Sequence, residues 1–200
     1  MIRPDIGYIF LGSIRSAYIP KIMDAVKGTK GLIVDLRCYP REFVVFTLGQ
    51  HLVCDPSRFA RFTNGSIETP GKFTLTPALS VGNNDNSCYK GKIVILVDES
   101  TVSQAEYTTM AFRAAPHALV VGSTTAGADG NVSPIPLFTG MPALISGIGV
   151  FYPDRTPTQR IGIVPDIEVH PTIEGIRQGR DEVLEAGVSH ALGREFRLRP

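Results

Sequence analysis

The chain has 200 residues, of which 43% are hydrophobic and 20% charged, a composition that suits one globular domain with a sizeable core and excludes a disordered tail. Twenty basic residues against nineteen acidic ones leave a net charge of +1, so the chain has no general electrostatic attraction to nucleic acid or anionic lipid. No uninterrupted apolar run approaches the roughly 18 residues of a membrane span, which argues against an integral membrane protein.

The first part of the chain alternates strand and helix patterns. Residues 6–11 form a short β-type run, and residues 17–26 predict a helix with Pro20 near its first turn. Residues 31–36 are a continuous apolar run that includes a carboxylate near its end, which is typical of a strand covered on both faces. Residues 43–51 predict the helix that follows it.

The middle of the chain begins with an excursion and then returns to the same alternation. Residues 59–75 alternate apolar and polar side chains around turn dipeptides, which predicts a hairpin. Residues 92–97 have the strongest buried-strand pattern in the chain, and residues 103–115 are rich in helix formers. Residues 117–122 predict a further short strand.

The last part supplies a glycine-rich turn at 122–130, predicted strands at 132–138 and 143–151, and a terminal helix at 180–192. Repeated strand–helix alternation predicts an α/β layered domain, with the antiparallel segments as β-hairpin excursions. Proline and glycine are spread along the chain and mark no linker, so residues 1–200 are expected to form a single domain.

Most common chemical signatures are missing from the sequence. It has no HExxH, P-loop, GxGxxG, GxSxG or SxxK motif, so we expect neither a metal nor a cofactor. The three cysteines, Cys38, Cys54 and Cys88, form no CxxC pair, which leaves one disulfide plus a free thiol as an open alternative to three free thiols.

A polar segment between the strand at 92–97 and the next helix is the best candidate for chemistry. There Ser103 would stand beside helix N-terminal N–H groups, which carry partial positive charge and can stabilise a developing oxyanion. The spacing Ser103-x-x-Glu106 equally fits a capping box, in which both side chains satisfy backbone donors. The local pattern therefore does not establish a nucleophile.

The order of segments along the whole chain resembles the catalytic domain of the S41 family, the tail-specific or C-terminal processing serine peptidases. The resemblance covers nearly all of the chain, and its segments are specific in their order and spacing. It rests on GLIVDLR at 31–37, YKGKIVILV at 89–97, TVSQAE at 101–106, VGSTTAG at 121–127 and IGIVPD at 161–166.

This resemblance implies a ClpP/crotonase-like α/β fold in which Ser103 is the nucleophile. The N–H of Gln104 would be one oxyanion donor, and the loop after Arg37 would supply the second. The turn residues Gly127, Gly130 and Asn131 would line the substrate groove near Ser103, although a tight turn alone would also explain them.

Several positions depart from the family pattern. In the Ser-Lys branch the base is a Lys about 25 residues after the serine, where this chain has Ala128 followed by Asp129. The tricorn-like branch has a His at the position of Phe10 and a Glu at the position of Gln159. The Asn-Pro-Gly-Gly that usually follows Asp-Leu-Arg is CYPRE at 38–42, which puts the second oxyanion donor in doubt.

The general base therefore has no clear assignment from the sequence. His117 follows a proline at a helix–strand junction, and His51 lies at a predicted helix end; a structural role explains either residue as well. Glu106 could contact Ser103 in a supporting role but is also explained as its capping partner. A base supplied by residues outside this chain is a further alternative, because S41 proteins usually carry an N-terminal region and often a PDZ domain.

The expected function is that of a serine endopeptidase that cleaves extended or C-terminal polypeptide segments through an acyl-enzyme. The alternatives are a peptide-binding scaffold that has kept the fold but lost the base, and a crotonase-like acyl-CoA enzyme, against which the lack of a basic cluster argues. The resemblance also implies a cell-envelope location and a preceding N-terminal or PDZ region, while the first residues lack a signal-peptide pattern.

Overall fold

A five-stranded parallel sheet forms the centre of the protein. The computed structural model describes residues 1–84, 87–138 and 140–198. Within them the strand order of this sheet is β1-β2-β6-β7-β11. Its strands are β1 (Ile6–Phe10), β2 (Gly31–Asp35), β6 (Lys92–Val97), β7 (Leu119–Gly122) and β11 (Ile167–Glu168).

Helices cover both faces of this sheet, which makes a three-layered α/β arrangement. One face packs against the first three helices of the chain, and the other packs against the terminal helix through Val183, Val188 and Ala191. The helices are α1 (Ile19–Val26), α2 (Val45–Leu52), α3 (Gln104–Phe112), α4 (Ile173–Arg177) and α5 (Glu182–Leu192). All five residues of β2 are buried, as expected for a strand covered on both sides.

Antiparallel strands form two excursions from the central sheet. Three short strands pair with the long strand β3, and an isolated hairpin is formed by two strands whose residues are all exposed. The first group comprises β3 (Ser57–Gly65), β4 (Phe73–Leu75), β5 (Leu79–Val81) and β10 (Val150–Phe151), and the hairpin comprises β8 (Val132–Pro136) and β9 (Pro142–Ser146).

The structure confirms the predicted α/β layered fold with β-hairpin excursions, and corrects the prediction at four places. The single strand predicted at 143–151 is wrong, because Gly147 and Gly149 interrupt it and its two ends belong to different sheets, as β9 and β10. The prediction also missed β5, β11 and α4, which have three, two and five residues and are too short to show a period.

Cys54 and Cys88 form a disulfide with a Cα–Cα distance of 5.2 Å, and Cys38 is free. Of the alternatives that three cysteines allow, the structure therefore has one bridge and one thiol. Burial raises the pKa of Cys38 to about 11, so this thiol stays protonated and unreactive at neutral pH. No helix in the described ranges is both long and apolar enough to cross a membrane.

The parallel strands bring three polar loops to one edge of the sheet. The carboxyl ends of β2, β6 and β7 are neighbours, since Asp35 pairs with Leu96 and Val97 pairs with Gly122. The GLIVDLR segment forms β2 and enters the first of these loops, TVSQAE leads from the second loop into α3, and VGSTTAG leads from the end of β7 into the third. Sites in open α/β sheets form outside the carboxyl ends of the strands, and the candidate site lies there.

Candidate active site

Ser103 stands at the N-terminal end of α3 in a strained backbone conformation. Its φ of 54° is positive, a region that a residue with a Cβ seldom adopts and that recurs where a fold holds a functional group in place. The loop before it is fixed by Thr101, whose hydroxyl donates to Leu36 O at 2.9 Å and accepts from Asp98 N–H at 3.0 Å. Ser103 is therefore held rigidly between β6 and α3.

Ser103 and Glu106 form a capping box at the start of α3. The buried Glu106 carboxylate accepts from Ser103 N–H at 3.0 Å, and the Ser103 side chain faces the Glu106 N–H in return. The same carboxylate accepts from the Thr125 hydroxyl at 2.5 Å, Gly127 N–H at 2.8 Å and Ala128 N–H at 3.0 Å. Glu106 thus joins the Ser103 loop to the glycine-rich turn.

Ser103 opens into a cleft of about 540 Å³. The cleft is bounded by the loop after β2, by the start of α3 and by the residues that lead into the β8–β9 hairpin. Its lining residues are Tyr39, Phe43, Phe62, Ser103, Gln104, Tyr107, Asp129, Gly130, Asn131 and Val132. A concave site with a few converging polar groups among aromatic walls is typical of a substrate-binding site.

Tyr107 is the centre of the aromatic wall. Its ring lies 6.2 Å from that of Phe43 in a stacked arrangement, 5.1 Å from Phe59 and 5.7 Å from Phe62. Burial raises the pKa of Tyr107 to about 12, with a smaller effect from the Asp129 carboxylate, so its hydroxyl stays neutral. The wall offers apolar surface to a ligand in the cleft.

The backbone N–H of Gln104 is available as an oxyanion donor. Among the residues described, no protein group accepts from it, as is usual in the first turn of a helix. The Gln104 side chain donates to Glu42 O at 3.0 Å, which ties α3 to the loop after β2. In that loop Arg41 N–H donates to Leu11 O at 3.0 Å and is not free to contribute, whereas Tyr39 lines the cleft.

Hydrogen bonds between charged side chains anchor the loop after β2. Arg37 donates to both carboxylate oxygens of Asp181 at 2.8 Å each and to both of Asp35, at 3.0 and 2.7 Å. Tyr8 also donates to Asp35, at 2.8 Å. Because Asp181 is the N-cap of α5, this network connects the loop to the last helix of the chain.

The structure does not bring the two histidine candidates to Ser103. His117 lines a different pocket, together with Cys54 and Tyr89. His51 lies in the last turn of α2, where its carbonyl accepts from Tyr89 N–H at 2.7 Å, and it is not among the residues that line the cleft. Glu106 is close to Ser103, but its carboxylate already accepts four hydrogen bonds.

Of the three turn residues named as groove residues, two line the cleft. Gly130 and Asn131 do so, whereas Gly127 is packed against the backbone of residues 160–162 and has a structural role. Asp129 also lines the cleft and was not predicted to do so, although it stands next to the position at which the Ser-Lys branch has its base. The missing signal was burial, which a carboxylate in a glycine-rich turn does not show in sequence.

Gln159, at the position of the tricorn-like Glu, supports the turn through its amide. Its Nε2 donates to Asp129 O and to Ile148 O at 2.8 Å each, and its Oε1 accepts from Val150 N–H at 3.3 Å. Phe10, at the position of the histidine, is partly exposed at the end of β1. Across the residues described, no group of three or more His, Cys, Asp or Glu side chains has the arrangement of a metal site.

Comparison with known proteins places this geometry in a family. The profile of Peptidase family S41 matches residues 59–169, from β3 to the end of β11. No curated protein matches the chain. Among solved structures, a candidate peptidase from Parabacteroides merdae has a TM-score of 0.78 at 20% identity, over 94% of this chain and 61% of its own.

Two further solved structures have the same fold. Mature CPAF has a TM-score of 0.74 at 14% identity, over 96% of this chain and 53% of its own. The photosystem II D1 C-terminal processing protease has a TM-score of 0.61 at 19% identity, over 86% and 46%. The present chain therefore spans about half to three-fifths of the length of these proteins.

These similarities confirm the layered α/β fold that the resemblance implied. The profile match covers more than half of the residues and includes the Ser103 loop, the glycine-rich turn and the IGIVPD segment. The chain belongs to peptidase family S41.

Proposed function

We propose that the protein is a serine endopeptidase in which Ser103 attacks the scissile carbonyl and forms an acyl-enzyme. The observation that carries the proposal is the strained, positive-φ position of Ser103 at the head of α3, open to an aromatic-walled cleft. Ser103 takes part in the capping box of α3 and also lines the cleft, where a substrate carbonyl would meet it.

The backbone at the start of α3 is suited to the charge that develops during acylation. As the Ser103 oxygen adds to the carbonyl carbon, the carbonyl oxygen gains negative charge, and the Gln104 N–H and the helix dipole stabilise it. Fixed donors of this kind need no reorganisation in the transition state, and removal of one costs on the order of 10²–10³ in rate. The backbone of the loop after Arg37, where Tyr39 lines the cleft, is the proposed source of the second donor.

The proposed substrate is an extended or C-terminal polypeptide segment. The aromatic wall gives apolar side chains a place to bind, and the β8–β9 hairpin begins beside the cleft at Val132. An extended chain pairing with the 131–138 edge would bind through its backbone and with loose side-chain specificity. Pro134 and Pro136 lack an N–H, so such pairing would depend on the strand's carbonyl groups and its remaining donors.

A second candidate function is that of a catalytically inactive, peptide-binding scaffold. One observation favours it: none of the residues that line the cleft is a Lys or a His. The S41 enzymes that the sequence resembles use one or the other as their base, and a serine without a base is a poor nucleophile.

A fluorophosphonate probe, which reacts with activated serines, distinguishes the two functions. We expect covalent labelling of the wild-type full chain and none of Ser103→Ala, because the labelled oxygen is then missing. Ser100→Ala, which removes an exposed serine of the same loop, is the matched control and should label normally. Hydrolysis of an unfolded protein by the wild type should fall by roughly 10⁴–10⁶-fold in Ser103→Ala. Absence of wild-type labelling would favour the scaffold.

The organisation and location of the protein are also proposed. We propose that residues 1–200 form a single catalytic domain, which corresponds to part of the longer S41 structures. A cell-envelope location is supported by the Cys54–Cys88 disulfide, since such bonds persist in oxidising compartments.

A further inference from the structure

Asp129 is a buried carboxylate that lacks a full set of partners. The residue is 6% exposed, Oδ1 accepts from Gly130 N–H at 2.7 Å, and Oδ2 is buried with no hydrogen-bond partner among the residues described. Buried polar atoms are almost always hydrogen-bonded, and an unpaired carboxylate oxygen is costly. Such an atom indicates either strain or a functional use.

The position of Asp129 places it in the same cleft as the nucleophile. Asp129 and Ser103 both line the 540 Å³ cleft, and Asp129 also borders a second, more open cleft of about 500 Å³. It therefore forms part of the wall between a substrate groove and its neighbour. Among the residues that the structure describes, no other carboxylate lines the first cleft.

The surrounding backbone fixes Asp129 in this position. Glu106 holds the two preceding N–H groups, those of Gly127 and Ala128, and Gln159 holds the Asp129 carbonyl. The next residue, Gly130, has a φ of +113°, and a Cβ there would meet Ser146 Oγ at 2.6 Å and Gln159 Nε2 at 2.7 Å. The turn is thus built around a side chain with little freedom, which is what a preorganised catalytic group requires.

The charges around Asp129 favour its neutral form over its ionised form. Burial is the main cause that raises its pKa to about 7, and the Glu106 carboxylate of α3 raises it further, against the Gly130 N–H that lowers it. Tyr107, also of α3, stays neutral, and Gln159 is uncharged. Arg160 lines only the second cleft. A group that changes protonation near neutral pH is well matched to proton transfer.

We propose that Asp129 is the proton acceptor that activates Ser103, an inference that rests on the proposed peptidase function. Asp129 Oδ2 takes the Ser103 hydroxyl proton as Oγ bonds to the carbonyl carbon. The resulting carboxylic acid gives this proton to the amine nitrogen as the C–N bond breaks. In deacylation the carboxylate takes a proton from the attacking water and returns it to Ser103 Oγ as the ester bond breaks, which restores the starting state.

The test measures the rate of fluorophosphonate labelling against pH for the full chain, its Asp129→Asn variant and the matched control Asp154→Asn. Asp154 is an exposed carboxylate in the loop after β10, so its change to an amide is expected to leave the rate unchanged. We expect the wild-type rate to rise with pH through a midpoint near 7. Asp129→Asn should label about 100-fold or more slowly, because general-base catalysis contributes roughly 10²–10⁴-fold, and its midpoint should disappear. Thermal unfolding of each variant verifies that it is folded.

The outcomes separate this inference from the proposed function. If the wild type labels and Ser103→Ala does not, but Asp129→Asn keeps both the wild-type rate and its pH midpoint, the peptidase proposal stands and the role of Asp129 is refuted. If the wild type does not label at any pH, the proposed function fails and the inference fails with it. A folded Asp129→Asn protein that retains peptide binding but labels slowly and without the midpoint supports both.

Discussion

Asp129 binds its proton more tightly in the folded protein than in the unfolded chain, because burial raises its pKa from 3.8 to about 7. Between these two values the folded state holds more protons, so the free energy of unfolding falls as pH rises from about 4 to about 7. Below this range Asp129 is protonated in both the folded and the unfolded state, so it does not change the free energy of unfolding with pH. Above this range the full cost of burying the ionised carboxylate remains. The shift corresponds to at most about 4 kcal/mol.

The Asp129→Asn variant should lose this pH dependence. Because its amide carries no charge to bury, we expect the variant to be more stable than the wild type at pH 8 by up to about 4 kcal/mol, with the advantage disappearing towards pH 4. Urea unfolding of both proteins at several pH values gives the difference between their free energies of unfolding. The contributions of the carboxylates that both proteins share cancel in this difference. A constant difference across this range would show that Asp129 does not titrate in it.

At the residue level the sequence identified several of the residues that line the cleft, but not all of them. Ser103, Gln104, Gly130 and Asn131 line the cleft as expected, since motif spacing follows the local backbone. His117 and His51 do not line the cleft. The sequence could not show this, because it does not reveal which side of a helix or strand end faces a given loop. Asp129 was missed for the related reason that its burial is created by distant residues such as Gln159.

Elements with a clear hydrophobic pattern were the ones that could be predicted. The strand at 92–97 agrees with β6 at both ends, and the predicted helix over 103–115 contains α3, because continuous apolar runs and helix formers act locally. The region 143–151 was mispredicted because its pairing is decided by partners: β9 pairs with β8, whereas β10 pairs with β3. Where a segment passes from one sheet to another, the local sequence shows the change only through its glycines.

The β8–β9 hairpin gives a prediction at this level. Every residue of both strands is exposed, so replacing residues 133–145 by a short Gly-Ser linker should leave the core folded. If the hairpin edge pairs with substrate, this variant in the Ser103→Ala background should bind a fluorescent unfolded peptide about tenfold or more weakly, since each 1.4 kcal/mol lost changes the affinity tenfold. Fluorescence anisotropy measures it, with the Ser103→Ala protein as reference. Equal affinities would refute pairing at this edge.

At the level of the whole molecule, the Cys54–Cys88 disulfide closes a loop across a sequence separation of 34 residues. This loop contains β3, β4 and β5, which form one side of the cleft through Phe62. Reduction should lower the free energy of unfolding by about 2–4 kcal/mol, because the reduced unfolded chain regains the freedom that the bond removes.

Thermal melts with and without dithiothreitol measure this effect. The Cys54→Ser/Cys88→Ser variant should melt at the temperature of the reduced wild type and respond no further to reductant. Cys38→Ser is the matched control and should keep the full response, because Cys38 is the free thiol. An unchanged melting temperature on reduction of the wild type would show that the bond contributes nothing to stability.

The contact between Arg37 and Asp181 has a consequence for the order in which the protein matures. The two residues are 144 positions apart, so the loop that carries Tyr39 gains this second anchor only after Asp181 has been synthesised. A nascent chain on the ribosome therefore contains Ser103 well before the groove beside it is complete. Under the proposed function, proteolytic activity would then appear only after the chain up to Asp181 has folded, which limits cleavage of one nascent copy by another.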